Sequence, residues 1–184
     1  MDIYTIGHST LSKEEFLKML LKEEIEVLVD VRAYPASRKF PQYNLKVFKS
    51  WLKENDVEYI HEPLLGGRRN KSQLIQEEIN NGWNNSSFHN YADYTLTNEF
   101  EEGIKELKSI AREKRVVYCC SERHPARCHR LIISNWLSAE GWNVFHIIKQ
   151  GKKSMIELHQ LGKWGATPIL VEDGTIVYPD LSDN

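Results

Sequence analysis

The stretch CCSERHPARCHR, residues 119–130, contains all three cysteines of the chain, two of its seven histidines and three of its arginines. Thiols, imidazoles and guanidinium groups at this density support three kinds of chemistry. A cysteine at a strand end, ahead of a helix N-terminus and near arginines, has its thiol pKa depressed and becomes a nucleophile. Cysteine and histidine together ligate zinc. Arginine grips phosphate or carboxylate with a planar two-point fork.

Strand geometry sorts these residues. Adjacent side chains of a strand point to opposite faces, so Cys119 and Cys120 cannot line one pocket, whereas Cys120 and Glu122 share a face. A helix beginning near Pro125, a residue favoured in the first turn, puts Cys128 on the stripe of Leu131, Ile132, Asn135 and Ala139, turned toward the sheet. Cys120 is then the reactive thiol, as nucleophile or redox group. His8, Glu122 and His129 are the candidates for moving protons. An anion loop of the phosphatase type does not fit, because six residues separate Cys120 from Arg127 and Pro125 has no N–H to offer an anion.

For metal, Cys120, His124, Cys128 and His129 offer enough soft ligands for zinc, and Glu122 could add oxygen. No C-x-x-C and no second ligand pair at zinc-finger spacing accompanies them. No cofactor or metal is therefore assigned, and a Cys/His metal site is kept as an alternative. Among the arginines, Arg32, Arg38, Arg68 and Arg130 are the candidates for anion binding. Arg32 follows Asp30 at the end of an apolar run, so a structural ion pair accounts for it equally well. Arg69, Arg123 and Arg127 read as solvent-facing.

The elements that must position these groups alternate. Ile3–Ile6 is a short strand, and Ser12 with Glu15 makes a capping box for a helix carrying Phe16, Leu17, Leu20 and Leu21. VLVDV, residues 27–31, suits a strand buried on both faces of a parallel sheet. A proline-containing loop leads to a helix over Leu45–Asn55, then a strand over Val57–His61 and the loop LLGGRRNKS. Asn80–Ser87 reads as an exposed loop or insertion. A helix marked by Phe100, Ile104, Leu107 and Ala111 precedes a fourth strand, Arg115–Cys120; the next helix stops at Gly141, and Val144–Ile148 is a fifth strand. Near the C-terminus, Asp173-Gly174 between two apolar runs predicts a type I′ hairpin.

This order predicts an α/β fold, a Rossmann-like three-layer sandwich with a mostly parallel sheet flanked by helices and a C-terminal β-hairpin over 165–179. The 184 residues fit one domain. Ligands of such sheets bind beyond the strand C-termini, where Gly7-His8-Ser9, Asp30-Val31-Arg32, His61 to Arg68 and Cys120 to Arg123 gather. The formal charge of −2 and pI near 6.4 provide no global attraction to nucleic acid or anionic membranes. No apolar run is long enough to span a bilayer, no signal peptide is legible, and the odd cysteine count fits a reducing cytoplasm.

Taken in order, TIGHST, LVDVRAYPASRKFPQYN, YIHEPLLGGRR, FHNYADYTLT and CCSERHPARCHR resemble the domain-of-unknown-function family numbered 488, small prokaryotic proteins, over about residues 4–148. The resemblance implies a Rossmann-like domain. It picks out Gly7, His8, Ser9, Asp30, Arg32, Pro35, Ser37, Arg38, His61, Gly66, Gly67, Arg68, Tyr91, Tyr94, Cys120, Glu122, Cys128, His129 and Arg130, which agree with the polar rim. Cys119 and Asn80–Ser87 fall outside its motifs. The sequence thus points to an enzyme, a hydrolase or transferase, acting on an anionic small molecule or nucleotide through a Cys120 thiolate. The alternatives are a Cys/His metal protein and a nucleic-acid-binding module using GGRRNKS, KQGKKS and Trp83, Phe88, Tyr91 and Tyr94 as stacking surfaces.

Overall fold

The structure, a computed structural model, describes residues 1–182. Five parallel strands, β1 (Asp2–Gly7), β2 (Val27–Asp30), β3 (Glu58–His61), β4 (Val116–Cys120) and β5 (Asn143–Gln150), form a sheet with the antiparallel strand β6 (Lys153–Leu158) on its edge, in the order β3-β2-β4-β1-β5-β6. Helices α1 (Lys13–Lys22), α2 (Leu45–Lys53), α3 (Ser86–Tyr94), α4 (Asn98–Glu113) and α5 (Arg130–Ala139) cover it. The predicted α/β architecture is present.

Strand order decides where the helices go. From β1 the chain steps toward the β3 edge through α1 and again through α2; from β3 it steps back through α3 and α4, then through α5. Right-handed crossovers in opposite directions put their helices on opposite faces. The core divides accordingly. Phe16, Leu20, Phe48 and Leu52 of α1 and α2 pack with Leu28, Val117 and Cys119 on one face. Phe100, Leu107, Ile132 and Leu137 of α4 and α5 pack with Val29, Tyr118 and Cys120 on the other. β4 therefore lies between β1 and β2, whose exits turn to one face, while its own exit turns to the other. Such a reversal opens a crevice at the strand C-termini.

Several local expectations meet the structure directly. The Ser12–Glu15 capping box is formed, and α5 stops before Gly141 at φ 86°. Along α1, however, Met19 is buried and Leu21 is 53% exposed, so the apolar stripe is narrower than the spacing of leucines suggested. The stretch at residues 80–87 is exposed at Asn81 and over 84–87 but is anchored rather than loose, and α3 begins within it at Ser86. Asn80 is fully buried, donating from Nδ2 to Asp93 (2.8 Å) and accepting from the Tyr178 backbone N–H (3.0 Å). Trp83 is buried against Phe88 and Tyr178. These residues are the seat of the C-terminal segment, which is why a polar run carries no periodicity.

The hairpin β7 (Ile169–Leu170) to β8 (Ile176–Val177) forms, with a different turn. Val171 N–H donates to Thr175 O, Gly174 N–H donates to Val171 O, and Gly174 alone in the turn has positive φ (87°). That is the three-residue loop with a bulge; a type I′ turn would need positive φ at two successive positions. A two-residue loop occurs instead at Gly151-Lys152, joining β5 to β6, with Gly151 at φ 60°.

Candidate functional site

Two glycines let the rim close. A Cβ on Gly7 would lie 1.7 Å from the Glu122 carbonyl oxygen, so β1 and the segment after β4 touch backbone to backbone. His8 N–H donates to Cys120 O (3.0 Å) and Ser9 N–H to Ser121 O (2.8 Å), with Ser9 held at φ 44°. Gly67 packs on the His129 ring, where a Cβ would come within 2.8 Å of Nδ1. The crevice at this point is a pocket of about 560 Å³, within the size range of small-molecule sites.

The thiols occupy its wall. Cys120 and Cys128 are both pocket-lining and nearly buried, at 7% and 4% exposure. Cys119 lies in the opposite core, as strand alternation requires. Cys128 is buried and turned toward the sheet, as expected, but the helix start predicted near Pro125 is corrected. The helix does not start at Pro125: a single 3-10 turn covers Pro125–Arg127, Cys128 is extended (φ −142°, ψ 145°), and α5 begins at Arg130. The extended residue breaks the helical phase, and its thiol meets Cys120 within the core of that face. Sulfur and nitrogen ligand atoms of Cys120, Cys128 and His129 all lie within 4.8 Å of one another.

The expected lowering of the Cys120 thiol is also reversed. Its hydrogen bond with Cys128, together with burial, pushes Cys120 up. Burial alone would raise Cys128 too, but the Cys120 thiol and the Arg130 guanidinium stabilise its thiolate and carry it down. Of the two, Cys128 is the one whose thiolate the surroundings favour. Arg130 is 1% exposed and donates to Thr5 Oγ1 (2.9 Å) and the Glu122 carbonyl, and its Nε has no hydrogen-bond partner among the described residues. It acts on the thiol from below the pocket.

His129 has one nitrogen committed. Nε2 lies 3.0 Å from the Val31 carbonyl, which can only accept, so Nε2 carries the proton and donates. Nδ1 presents its lone pair 3.7 Å from Cys128 Sγ. Tyr91, almost wholly buried, packs its ring 4.9 Å from His129 at a tilt of 58° and donates to Leu65 O (2.7 Å).

On the other side, Asp30 is fully buried and accepts from Arg32 Nε (2.8 Å), Arg32 Nη2 (2.5 Å), Arg32 N–H (3.1 Å) and Tyr59 OH (2.7 Å). Arg32 also donates to Tyr43 O (2.8 Å), and its Nη1 reaches His8 Nε2 at 3.2 Å. His8 stacks on Tyr43 at 4.1 Å, and burial, then the Arg32 charge, holds its pKa at about 4. His8 is therefore neutral, with Nδ1–H donating to Ser9 O (3.1 Å). His61 donates to the Arg32 carbonyl (2.8 Å) and lies outside the pocket lining.

Arg68 and Arg127 are exposed, line the pocket, and make no side-chain hydrogen bond or ion pair among the described residues. Arg68 stands at φ 63°. Arg127 is solvent-facing as expected, and it also borders the pocket from the 3-10 turn. Arg38 is exposed and away from the lining. Arg69 is a clip rather than a solvated charge, donating to Gly66, Pro63 and Leu64 carbonyls with its guanidinium over Tyr94. Glu122 and Ser9 line the mouth, as do Tyr34, Phe40 and Phe88. His124 is turned aside onto Trp164. Of the four proposed stacking aromatics, Trp83 and Tyr91 are buried and Tyr94 is half-buried with its hydroxyl on Leu64 O.

An open α/β sheet with a thiol pair in the crevice at its strand ends is the class this fold and site define. A family model described as domain of unknown function DUF488 matches residues 12–137, and the chain belongs to that family. No curated protein and no solved structure matches it. No described helix is long and apolar enough to cross a membrane.

Proposed function

We propose that the pocket is the active site of a cysteine-dependent hydrolase or transferase acting on an anionic, phosphate-bearing or nucleotide-like small molecule. The observation that carries this reading is the Cys120–Cys128 pair, which shares one pocket with the uncommitted guanidinium groups of Arg68 and Arg127. Arg32 and Arg130, already engaged by protein partners, set the shape and charge of the walls; Arg68 and Arg127 take the anion. Tyr34, Phe40 and Phe88 offer apolar faces beside those charges, which suits a planar group attached to the anion.

In this reading Cys128 is the nucleophile. Its thiolate sulfur bonds to the electrophilic centre of the substrate as the bond to the leaving group breaks, and that group leaves with a proton from solvent; His129 Nδ1 then takes the proton of the water or acceptor hydroxyl that displaces the sulfur and passes it to solvent. Cys120 steadies the thiolate by donating its S–H. Peptide-mapped labelling of metal-free protein with iodoacetamide tests this. Cys128 labels first, Cys119 stays unlabelled in the folded state, and a nucleotide or pyrophosphate slows Cys128. Equal labelling of all three thiols overturns the assignment.

A further inference from the structure

We propose that Cys120 Sγ, Cys128 Sγ and His129 Nδ1 form a three-ligand site for a zinc ion, with the fourth coordination position opening into the pocket. The donor set is the first ground: two thiolates and one imidazole suit zinc, and a three-residue set with an open position is the pattern of reactive rather than structural zinc. Distance is the second. Tetrahedral zinc with ordinary bond lengths sets S···N near about 3.6 Å and S···S near about 3.8 Å. Cys128 Sγ to His129 Nδ1 is already 3.7 Å, and no separation in the trio exceeds 4.8 Å, so at most about 1 Å is to be closed by thiol rotation.

Preorganisation of the histidine is the third ground. Metal-bound histidine characteristically donates its other N–H to a carbonyl or carboxylate, which fixes tautomer and ring plane. His129 does so through Nε2 to Val31 O, while Gly67 on one side and Tyr91 near the other hold the ring. The fixed nitrogen is the one facing the thiols. His124, the other imidazole of the motif, is on Trp164 and takes no part.

Ligation releases any thiol proton to solvent and leaves Zn²⁺ balanced by two thiolates, with the Arg130 guanidinium charge nearby. Resting on the cysteine-enzyme reading, the consequence is control: with zinc bound neither sulfur is free to attack.

The test is titration of EDTA-stripped, reduced protein with Zn²⁺ by calorimetry, and with Co²⁺ followed by its thiolate charge-transfer absorption. One ion binds per chain, and Zn²⁺ blocks iodoacetamide labelling of Cys120 and Cys128. Cys120→Ser, Cys128→Ser and His129→Ala, each checked for folding by circular dichroism, lose more than about 100-fold in affinity, beyond the 10–100-fold usual for outer-shell changes. His124→Ala binds as the parent does. No binding, unchanged binding in folded Cys128→Ser, or loss in His124→Ala overturns the site. Zinc binding without anion protection of Cys128 would refute the enzyme reading and leave the metal site standing.

Discussion

Replacing Asp30 by asparagine isolates the buried charge pair on which one pocket wall depends. Asp30 is 0% exposed and Arg32 6%, and the carboxylate receives three contacts from the guanidinium, one from the Arg32 backbone and one from Tyr59. Asparagine keeps the shape, removes the charge and turns an N–H₂ toward donors. Breaking one side of a buried pair leaves an uncompensated charge, at about 3–5 kcal/mol. For a chain of this length that lowers Tm by roughly 6–20 °C, at about 2–4 °C per kcal/mol. Urea unfolding monitored by circular dichroism reads the loss as a lower midpoint with an unchanged slope. The companion Asp30→Leu/Arg32→Met removes both charges and recovers much of it. A loss under about 1 kcal/mol in Asp30→Asn, the level of exposed pairs, would refute the reasoning, since the Arg32 charge would then be solvated.

Gly67→Ala needs the His129 ring to give way, because the added Cβ would lie 2.8 Å from Nδ1; the fold survives with a loss of about 1–3 kcal/mol, while zinc affinity falls, as calorimetry shows. The buried chain His146–His159–Asn135–Tyr178 gives a pH prediction. Burial lowers His146, helped by the charges of His159, Arg130, His124 and Lys163, and burial lowers His159 to about 4. Both are neutral in folded and unfolded chains above about pH 6.5; below it only the unfolded chain takes up protons, so stability falls by about 1.4 kcal/mol per pH unit per histidine. Thermal melts at pH 7 and pH 5 show a smaller acid loss for His159→Gln than for the parent, and an equal loss would contradict the assignment.

Much of the fold was legible because period-two and helical patterns, capping residues and glycines act locally: Val27–Val31 reads as a buried strand and Ser12–Glu15 as a helix start. What was illegible depends on distant partners. Asn80 and Trp83 carry no periodic signal because their role is to receive Tyr178, 98 positions beyond Asn80. Strand β6 was missed since its burial alternates only weakly on the sheet edge, and α3 because polar residues interrupt its apolar face. At the site, the rim residues follow from strand ends. Which thiol the surroundings favour as thiolate does not, because one extended residue at Cys128 breaks the helix expected to begin at Pro125. The spacing that brings Cys128 and His129 back to Cys120 was the available signal. Likewise Asp30 and Arg32 read equally as pair or ligand, and only burial decides that they are a pair.

The most direct test of the central claim is the rate of Cys128 alkylation in metal-free protein, measured with and without saturating nucleotide or pyrophosphate, in the parent and in Arg68→Ala/Arg127→Ala. Anion slows labelling in the parent and has no effect in the double variant, while labelling without anion is alike in both. Labelling indifferent to anion in the parent, or protection that persists without the two arginines, would contradict a shared thiol and anion site.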